Sequence, residues 1–547
     1  MAALHGLMMD TPLLVISLLE FAARHHGATE IVSRAVEGPI HRYSYRDAYG
    51  RTGRLAGVLE EFGITRGDRV ATLAWNTYRH LELYYAIPGI GAVCHTVNPR
   101  LHPDQIAYIL NHAEDRLVFA DLDFVPLLER LAPSLKTVEA YVVMTDAAHM
   151  PASRLPNLLC YEALIEGRPE RREWPRLEER TASALCYTSG TTGRPKGVLY
   201  SHRSTVLQAL ALGHRDGVGY GNGDAVMPVV PMFHANAWGL PFACPIGGAK
   251  LVLPGAKHDP ESLYELLADE GVTVTSGVPT VWAGLLDYLR RTGKRLPVLR
   301  ALNVGGSAVP RAMVEAFEKE LGIPVLHGWG MTELSPTGTN NMPTERVKAL
   351  PEAERYGYKL KQGRARFGVE LKIVDEEGRD LPHDGKTAGE LVARGPWVAS
   401  GYYKDEAASS TAWDIDGWFH TGDIATVDSE GYIQIVDRKK DLIKSGGEWI
   451  SSIDLENAAA GHPAVAEAAV IARPDPIWGE RPVLVLRRAG GAALAAEEVR
   501  EFLRDKVAKW ALPDEIVFLE ELPHTATGKV AKRELRDRLM AGKRPAA

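Results

Sequence analysis

Cysteine is scarce in this chain of 547 residues, and the four that occur, Cys94, Cys160, Cys186 and Cys244, form no C-x-x-C pair. Such scattered cysteines argue against a disulfide framework and a zinc knuckle, and they favour a reducing compartment. The sequence also lacks an uninterrupted apolar run of membrane length and the pattern of a signal peptide. These absences predict a cytoplasmic protein without an integral membrane segment.

An excess of positive charge is lacking too, since 63 Lys and Arg residues stand against 70 Asp and Glu residues, for a net charge of -7. No long basic tract occurs, so nucleic acid is not expected as a partner. The one basic cluster, Lys529 to Arg538, alternates charged with apolar residues at helical spacing. Its simplest interpretation is the solvated face of a helix.

Short apolar runs alternate with helical patterns through much of the chain, as in Arg69 to Leu73 and Asp104 to His112. Strands buried on both faces and separated by helices indicate an α/β fold with layered parallel sheets. Between residues 364 and 436, short strands with turn residues between them predict a smaller β-rich subdomain. A chain of this length has room for at least two cores.

The highly charged segment Asp437 to Asp441 follows the β-rich part and is the best candidate for an interdomain hinge. Beyond it, apolar runs and helical stretches alternate again, as expected for a small α+β domain. The sequence therefore predicts an N-terminal domain over residues 1–436, a hinge over 437–441 and a C-terminal domain over 442–547.

The segment Tyr187 to Gly197 has the most distinctive chemistry, because it places four small hydroxyl side chains and three glycines around Lys196. Backbone N–H groups, hydroxyl donors and a mobile ammonium suit the oxygens of a polyphosphate. The loop is not a Walker A motif, since Pro195 precedes the lysine and Gly197 itself follows it. Alone, such a loop is more often a flexible surface hairpin, so other segments must decide.

Three further segments carry groups that a nucleotide needs. Gly328 to Glu333 combines glycines for close backbone approach, an indole for stacking and a carboxylate suited to Mg²⁺. Trp418 to Asp423 ends in a carboxylate that can accept both ribose hydroxyls, and Thr525 to Lys529 is a glycine-lysine loop near the C-terminus. Taken alone, the first could simply be a turn, the second is better explained by an aspartate that shapes its own turn, and Lys529 is an exposed lysine.

In this order and at these intervals, the four segments resemble the core motifs of the adenylate-forming superfamily, which includes acyl-CoA synthetases, adenylation domains of peptide synthetases and firefly luciferase. The resemblance extends from about residue 40 to residue 536. It implies a large N-terminal domain of three subdomains and a small mobile C-terminal domain. It also implies two steps: a carboxylate attacks the α-phosphate of ATP to give an acyl-adenylate and pyrophosphate, and the thiol of coenzyme A then takes the acyl group and releases AMP.

Carried over by position, the resemblance assigns a role to each matching residue. The β- and γ-phosphates fall to Thr188, Ser189, Thr191, Thr192 and Lys196, in a loop that includes Gly190 and Gly193. The remainder of the nucleotide falls to Gly306, Ser307, Gly328, Trp329, Gly330, Met331, Thr332, Asp423, Ile435 and Arg438. The metal ligands are Glu333 and Thr188, and Lys440 takes the hinge position. Lys529 neutralises charge at the α-phosphate, so the catalytic residues are Lys529, Glu333, Thr188 and Lys196.

The branch of the superfamily is indicated by Lys444 to Ser451, which contains Gly446, Gly447, Glu448 and Trp449. This segment looks like that of bacterial fatty-acyl-CoA synthetases, in which the tryptophan gates a tunnel for the alkyl chain. Relatives that activate 3-methylmercaptopropionate carry it as well, and an ordinary interdomain packing role is the alternative for Trp449.

The acyl pocket is assigned by resemblance to His234, beside the carboxylate, and to Trp238, whose bulk shortens the cavity. The other pocket positions that the motifs identify are apolar, with no fixed cation for a second carboxylate, which argues against an amino-acid substrate.

The leading hypothesis is an AMP-forming ligase that joins a medium- or long-chain fatty acid to coenzyme A, with ATP and Mg²⁺. The first alternative is a ligase for 3-methylmercaptopropionate or another short acid. An enzyme that loads a carrier protein and an inactive nucleotide-binding protein are further alternatives; the intact Lys196, Glu333, Asp423 and Lys529 argue against the second. Relatives are often homodimers, but no residue pattern here decides the oligomeric state.

Overall fold

The computed structural model describes residues 6–171, 173–188, 194–214, 218–445, 448–490, 493–525 and 529–540, with the backbone alone for Glu448 and Met540. None of the helices in these ranges is both long and apolar enough to cross a bilayer. The helices are α1 (Val15–His25), α2 (Tyr45–Glu61), α3 (Tyr78–Gly89), α4 (Pro103–Ala113), α5 (Val125–Leu131), α6 (Tyr161–Ile165), α7 (His202–Gly213), α8 (Leu240–Gly247), α9 (Pro260–Asp269), α10 (Pro279–Thr292), α11 (Arg311–Glu315), α12 (Glu345–Lys348), α13 (Glu352–Leu360), α14 (Glu406–Ala412), α15 (Ser452–Ala460), α16 (Ala496–Arg504) and α17 (Lys532–Met540).

Two seven-stranded sheets make up most of the N-terminal part. One contains β1 (Glu30–Arg34), β2 (Ile40–Ser44), β10 (Ala225–Pro228), β11 (Lys250–Leu253), β12 (Val274–Gly277), β13 (Ala301–Val304) and β14 (Val325–His327). The other contains β3 (Arg69–Leu73), β4 (Val93–Thr96), β5 (Asp115–Ala120), β6 (Ala140–Val143), β7 (Leu158–Cys160), β8 (Ala182–Tyr187) and β9 (Gly197–Ser201). Their orders are β14-β13-β12-β10-β11-β1-β2 and β7-β6-β5-β3-β4-β8-β9, and each is parallel except at its last pair, β1–β2 and β8–β9.

The largest hydrophobic core lies between these two sheets and contains side chains of α1, α2, α3, α7 and α8. All twelve residues of α3 are buried, because this helix packs against strands of both sheets. Its neighbour α2 begins at a capping box in which Ser44 and Asp47 satisfy each other's backbone N–H groups. This arrangement confirms the predicted α/β class with layered parallel sheets.

A third sheet is antiparallel and corresponds to the predicted β-rich subdomain. It has the order β15-β16-β20-β19-β18-β17, with β15 (Thr339–Asn340), β16 (Gly363–Ala365), β17 (Glu370–Val374), β18 (Gly389–Arg394), β19 (Phe419–Val427) and β20 (Tyr432–Arg438). Strand β20 includes Asp437 and Arg438, so the first two residues of the segment predicted as a hinge are strand residues. A turn follows at 439–441.

The C-terminal part is a small α+β domain, as the sequence predicts. Its sheet has the order β22-β21-β24-β23 with a fifth strand paired to β24, and it contains β21 (Ile443–Ser445), β22 (Glu448–Ile450), β23 (Val465–Asp475), β24 (Gly479–Arg488) and β25 (Glu515–Phe518). Side chains of helices α15 and α16 form a hydrophobic core with the strands of this sheet, and α17 packs against β23.

Candidate active site

The four segments singled out in the sequence meet at one cleft of about 2520 Å³. The parallel strands β13 and β14 end side by side and lead into Gly305–Ser307 and Gly328–Glu333. In the other sheet, β8 ends at Tyr187, and the next residue, Thr188, lines the cleft. A ligand cleft at the carboxyl ends of parallel strands follows from the fold, since these ends present free backbone groups and loops on one side.

The two ends of the predicted phosphate loop are joined by hydrogen bonds. The Thr188 N–H donates to the Lys196 carbonyl at 2.9 Å, and the Lys196 N–H donates to Thr188 Oγ1 at 3.3 Å. Both side chains line the cleft. The five residues between them that were assigned to phosphate, Ser189, Gly190, Thr191, Thr192 and Gly193, lie outside the described residues.

The segment Gly328 to Glu333 lines the cleft throughout. A Cβ on Gly330 would lie 1.8 Å from the Pro336 carbonyl oxygen, so only glycine allows the chain to pass there. The Tyr200 hydroxyl donates to the Thr332 carbonyl at 2.6 Å, which ties the segment to β9. Met331, the residue before Thr332, also lines the cleft.

Glu333 is 5% exposed, and burial raises the pKa of its carboxyl group. Its Oε1 accepts a hydrogen bond of 2.8 Å from the Tyr402 hydroxyl, which opposes that rise. Among the described residues, no three His, Cys, Asp or Glu side chains are grouped to hold a metal ion by themselves. One carboxylate still fits Mg²⁺, because this ion usually takes one or two carboxylates together with phosphate oxygens of the substrate.

The predicted ribose carboxylate, Asp423, lies on β19 and is 2% exposed. Its Oδ1 pairs with Arg438 Nε at 2.7 Å, and its Oδ2 accepts from Trp329 Nε1 at 2.8 Å. Ile435 lies nearby on β20, where its N–H donates to Gln362 Oε1 at 2.7 Å. All of these residues line the cleft, so the structure brings the assigned nucleotide residues together.

The C-terminal Lys529 also reaches this cleft. Its Cε lies 3.9 Å from where a Cβ on Gly306 would stand, and Ser307 lines the cleft beside that glycine. Part of the Lys529 surface is exposed, but the side chain lines the cleft, close enough to protein atoms to be desolvated. Burial lowers the pKa of Lys529 to about 8, with smaller contributions from Arg438 and Lys440 that are opposed by Asp423 and Glu333. Glu333 and Asp423, from two of the other motifs, therefore act on the ammonium group of Lys529.

The predicted acyl residues line the same cleft. Burial, and after it the charge of Lys529, lowers the pKa of His234 to about 4, so its imidazole is neutral at pH 7. The Trp238 ring lies against Gly305, where an added Cβ would stand 3.2 Å from Trp238 Cη2. A neutral imidazole at this place can donate a hydrogen bond to a carboxylate, and because it carries no charge it does not compete with Lys529 for an ion pair with that carboxylate.

Trp238 belongs to a left-handed turn, which sequence reasoning missed. Ala235, Asn236, Ala237 and Trp238 have φ values of 44°, 54°, 48° and 57°, and Gly239 follows at 82°. The Tyr84 hydroxyl donates to Asn236 Oδ1 at 3.2 Å, and Gln208 Nε2 donates to the Trp238 carbonyl at 3.3 Å. Successive left-handed residues other than glycine are costly, so these contacts must hold the turn.

The acyl positions that the motifs identify include no cation, but the structure adds Arg366 to the lining of the cleft. Burial lowers the pKa of this guanidinium to about 10, opposed by the nearby Tyr220, which also lines the cleft. Arg366 follows β16 at a position that no motif marks, so nothing in the local sequence points to it. No motif marks Tyr402 either, and it lies far along the chain from Lys196 and Glu333.

Trp449 is the assigned residue that the structure does not bring to the cleft. It lies on β22 with 47% of its surface exposed, and Lys444 Nζ stands 4.4 Å from the centroid of its ring. It does not line the cleft in this domain arrangement. The assigned residues Gly446 and Gly447 lie outside the described residues, and Glu448 is described only as part of β22.

Comparisons with known proteins give the same picture as the geometry. The model of the AMP-binding enzyme family matches residues 18–403, and that of the AMP-binding enzyme C-terminal domain matches residues 454–529. A 3-methylmercaptopropionyl-CoA ligase of Ruegeria lacuscaerulensis is 50% identical over 97% of this chain and 98% of its own. A long-chain-fatty-acid–CoA ligase of Thermus thermophilus is 50% identical over 98% and 97%, and a medium-chain-fatty-acid–CoA ligase of Ectopseudomonas oleovorans is 47% identical over 97% of both.

Among solved structures, the anthranilate CoA ligase AuaEII in complex with anthranoyl-AMP superimposes with a TM-score of 0.86. It is 26% identical in sequence and covers 97% of this chain and 99% of its own. The likeness extends over both the N-terminal and the C-terminal parts, so the relative placement of the two parts also has a counterpart in a known structure.

Proposed function

Because the chain belongs to the AMP-binding enzyme family and is an AMP-forming acid–thiol ligase, we propose that it joins a linear, hydrophobic carboxylic acid of medium or long chain to coenzyme A. The observation that carries this proposal is the convergence of Lys529, Asp423 and Glu333 on one cleft. The apolar wall of that cleft, formed in part by Leu212, Val218 and Leu240, suits an alkyl chain.

In the first step, Thr188 and Lys196 hold the terminal phosphates of ATP while Asp423 and Arg438 hold the ribose. Glu333 and Thr188 would hold Mg²⁺, which would neutralise phosphate charge when bound. We assign the Lys529 ammonium to the reacting carboxylate and α-phosphate, because a fixed cation there would stabilise the negative charge that develops as the new bond forms. His234, neutral and close to Lys529, orients the acid.

A short thioether acid, 3-methylmercaptopropionate, is the second candidate. It is favoured by the Ruegeria relative and by the Trp238 ring, whose bulk against Gly305 shortens the cavity. Loading of a carrier protein and an inactive nucleotide-binding role are weaker alternatives, since relatives of nearly full length are CoA ligases.

We also propose that the segment 437–441 is a hinge between domains at 1–436 and 442–547, with Lys440 at the hinge position. Rotation there would bring β22 and Trp449 toward the cleft for the thioester step. A cytoplasmic location is proposed because all four cysteines are free thiols and three of them are buried, as suits a reducing compartment. From the same resemblance we also propose that the protein forms a homodimer.

The test is to incubate the purified protein with ATP, Mg²⁺, CoA and single acids from C3 to C18, with 3-methylmercaptopropionate in parallel. AMP and the acyl-CoA product are measured by chromatography. We expect the highest kcat/KM between the medium and long acids. A maximum at 3-methylmercaptopropionate would establish the second candidate, acyl-adenylate without acyl-CoA would indicate carrier loading, and no AMP with any acid would contradict both CoA-ligase candidates.

A further inference from the structure

Tyr402 contacts two functional groups that come from distant parts of the chain. Its hydroxyl donates a hydrogen bond of 2.8 Å to Glu333 Oε1, and the Lys196 Nζ lies 4.7 Å from the centroid of its ring. One side chain therefore touches both the proposed phosphate-binding lysine and the proposed metal carboxylate. Tyr402 lines the cleft with them.

The backbone around Tyr402 makes the same two connections. The Ala399 N–H donates to the Glu333 carbonyl at 2.7 Å, and the Tyr403 N–H donates to the Gly197 carbonyl at 2.8 Å. The segment 399–403 is thus a strap, hydrogen-bonded at one end to the strand that follows Lys196 and at the other to Glu333 itself.

Tyr402 is also held from behind, away from the cleft. Its N–H donates to Ser409 Oγ on α14 at 2.8 Å, and its ring meets that of Trp413 edge-on with centroids 5.1 Å apart. Because backbone and ring are both fixed, the hydroxyl has a defined position at the Glu333 carboxylate.

The chemistry of the two contacts differs in a way that an experiment can separate. The hydroxyl holds one carboxylate oxygen, and a carboxylate offers about four acceptor positions, so capacity for a metal ion remains. The ring face attracts an ammonium without neutralising it, so Lys196 keeps its full charge for phosphate.

We propose that Tyr402 is a positioning residue that couples the Lys196 ammonium to the Glu333 carboxylate, so that ATP phosphates and Mg²⁺ are bound as one unit. This rests on the proposed roles of Lys196 and Glu333. Loss of the hydroxyl alone should make the gain in ATP affinity on adding Mg²⁺ require more Mg²⁺. Loss of the ring should in addition lower the affinity for ATP without the metal.

The variants are Tyr402→Phe, which removes only the hydroxyl, and Tyr402→Leu, which removes the ring as well. Tyr403→Phe is the matched control, since it deletes a hydroxyl from the neighbouring side chain. ATP affinity is measured by calorimetry without Mg²⁺ and at increasing Mg²⁺, and thermal unfolding checks that each variant is folded. Thioester formation from supplied acyl-AMP is measured separately, because that step follows the release of pyrophosphate.

For Tyr402→Phe we expect unchanged ATP affinity without Mg²⁺ and an increase of about tenfold in the Mg²⁺ concentration needed for half of the affinity gain, as for one lost hydrogen bond to a charged group. Tyr402→Leu should in addition lose ATP affinity without Mg²⁺. Both should retain thioester formation from acyl-AMP, and Tyr403→Phe should behave as the native protein does.

Glu333→Gln is included so that the two levels of the proposal can be told apart. In its background, Tyr402→Phe should cause no further change in Mg²⁺ dependence. A native response of Tyr402→Phe beside an altered response of Glu333→Gln would overturn the coupling alone. A native response of Glu333→Gln would overturn the proposed metal carboxylate and the coupling with it.

Discussion

The Trp329 indole and the Asp423 carboxylate form a hydrogen bond of 2.8 Å from Nε1 to Oδ2. Because Arg438 holds the other oxygen of Asp423 at 2.7 Å, side chains of the protein fix the predicted ribose carboxylate from two sides. The sequence marks Trp329 as a stacking surface; the structure shows that it also positions Asp423.

Replacing Trp329 by phenylalanine should therefore raise the KM for ATP. The change keeps an aromatic face and removes the N–H donor, and a hydrogen bond to a charged group is worth about 1.5–3 kcal/mol, so the increase should be about tenfold or more. Trp174→Phe is the control, since it deletes an indole donor to the Tyr49 hydroxyl far from the cleft. An unchanged KM for ATP in Trp329→Phe would show that Arg438 alone suffices.

Lys529→Ala should nearly abolish formation of the acyl-adenylate and spare thioester formation from supplied acyl-AMP. Loss of one fixed cation at a developing negative charge costs on the order of a hundredfold in rate. The two half-reactions are measured separately, as pyrophosphate exchange and as acyl-CoA from acyl-AMP. Equal damage to both would refute the assigned role.

The adenylation step should also lose activity as pH rises through about 8. Burial, Arg438 and Lys440 lower the pKa of Lys529, while Asp423 and Glu333 oppose this, so the ammonium is charged below pH 8 and neutral above it. The kcat/KM for ATP reports the free enzyme and should fall about tenfold per pH unit above that value. Lys529→Arg, weaker but always charged, should show no such fall; a parallel fall in this variant would assign the titration to another group.

Lys440→Pro should separate the two half-reactions in the opposite direction. Proline fixes φ, so a hinge at this turn can no longer absorb a backbone rotation. In the present arrangement Lys529 is already at the cleft, and adenylation should survive while overall acyl-CoA turnover drops. Lys440→Ala keeps the freedom of φ and serves as the control. Normal turnover in Lys440→Pro would rule out the hinge.

The left-handed turn predicts an unusual response to glycine. Ala237 has φ 48°, so Ala237→Gly removes a strain of about 1 kcal/mol, whereas Ala209→Gly on α7 costs about that much in helix propensity. Both alanines are fully buried, so the lost methyl contacts are comparable. The apparent midpoint of thermal unfolding should be clearly lower for Ala209→Gly than for Ala237→Gly. Equal midpoints would mean that the turn carries no strain.

Trp238→Ala and Trp449→Ala should change the acid preference in different ways. Opening space at Trp238 should favour longer acids, with each newly buried methylene worth about 0.8 kcal/mol, a few-fold in kcat/KM. Trp449 does not line the cleft here, so its removal should leave adenylation intact and affect the CoA-dependent step, most strongly with long acids. Unchanged length profiles in both variants would remove both residues from the acyl path.

The sequence alone was sufficient for the parts of this protein that depend on local chemistry. The apolar run Arg69 to Leu73 predicted β3 and the parallel sheets, and the helical pattern of Asp104 to His112 predicted α4. The motifs also predicted many of the described residues that line the cleft, with Trp449 as an exception, because glycines, hydroxyls and charges at fixed spacing carry the requirements of a nucleotide.

Only the tertiary structure decided which distant groups act on those motifs. Tyr402 donates a hydrogen bond to Glu333, and Arg366 lines the cleft, although neither residue is near the motifs in sequence. The handedness of the turn at Trp238 was equally hidden, because alanine and tryptophan prefer negative φ and take positive values only when surrounding contacts impose them. A sequence pattern records the preferences of each residue and its neighbours; the packing of whole sheets and helices determines which of these preferences are overridden.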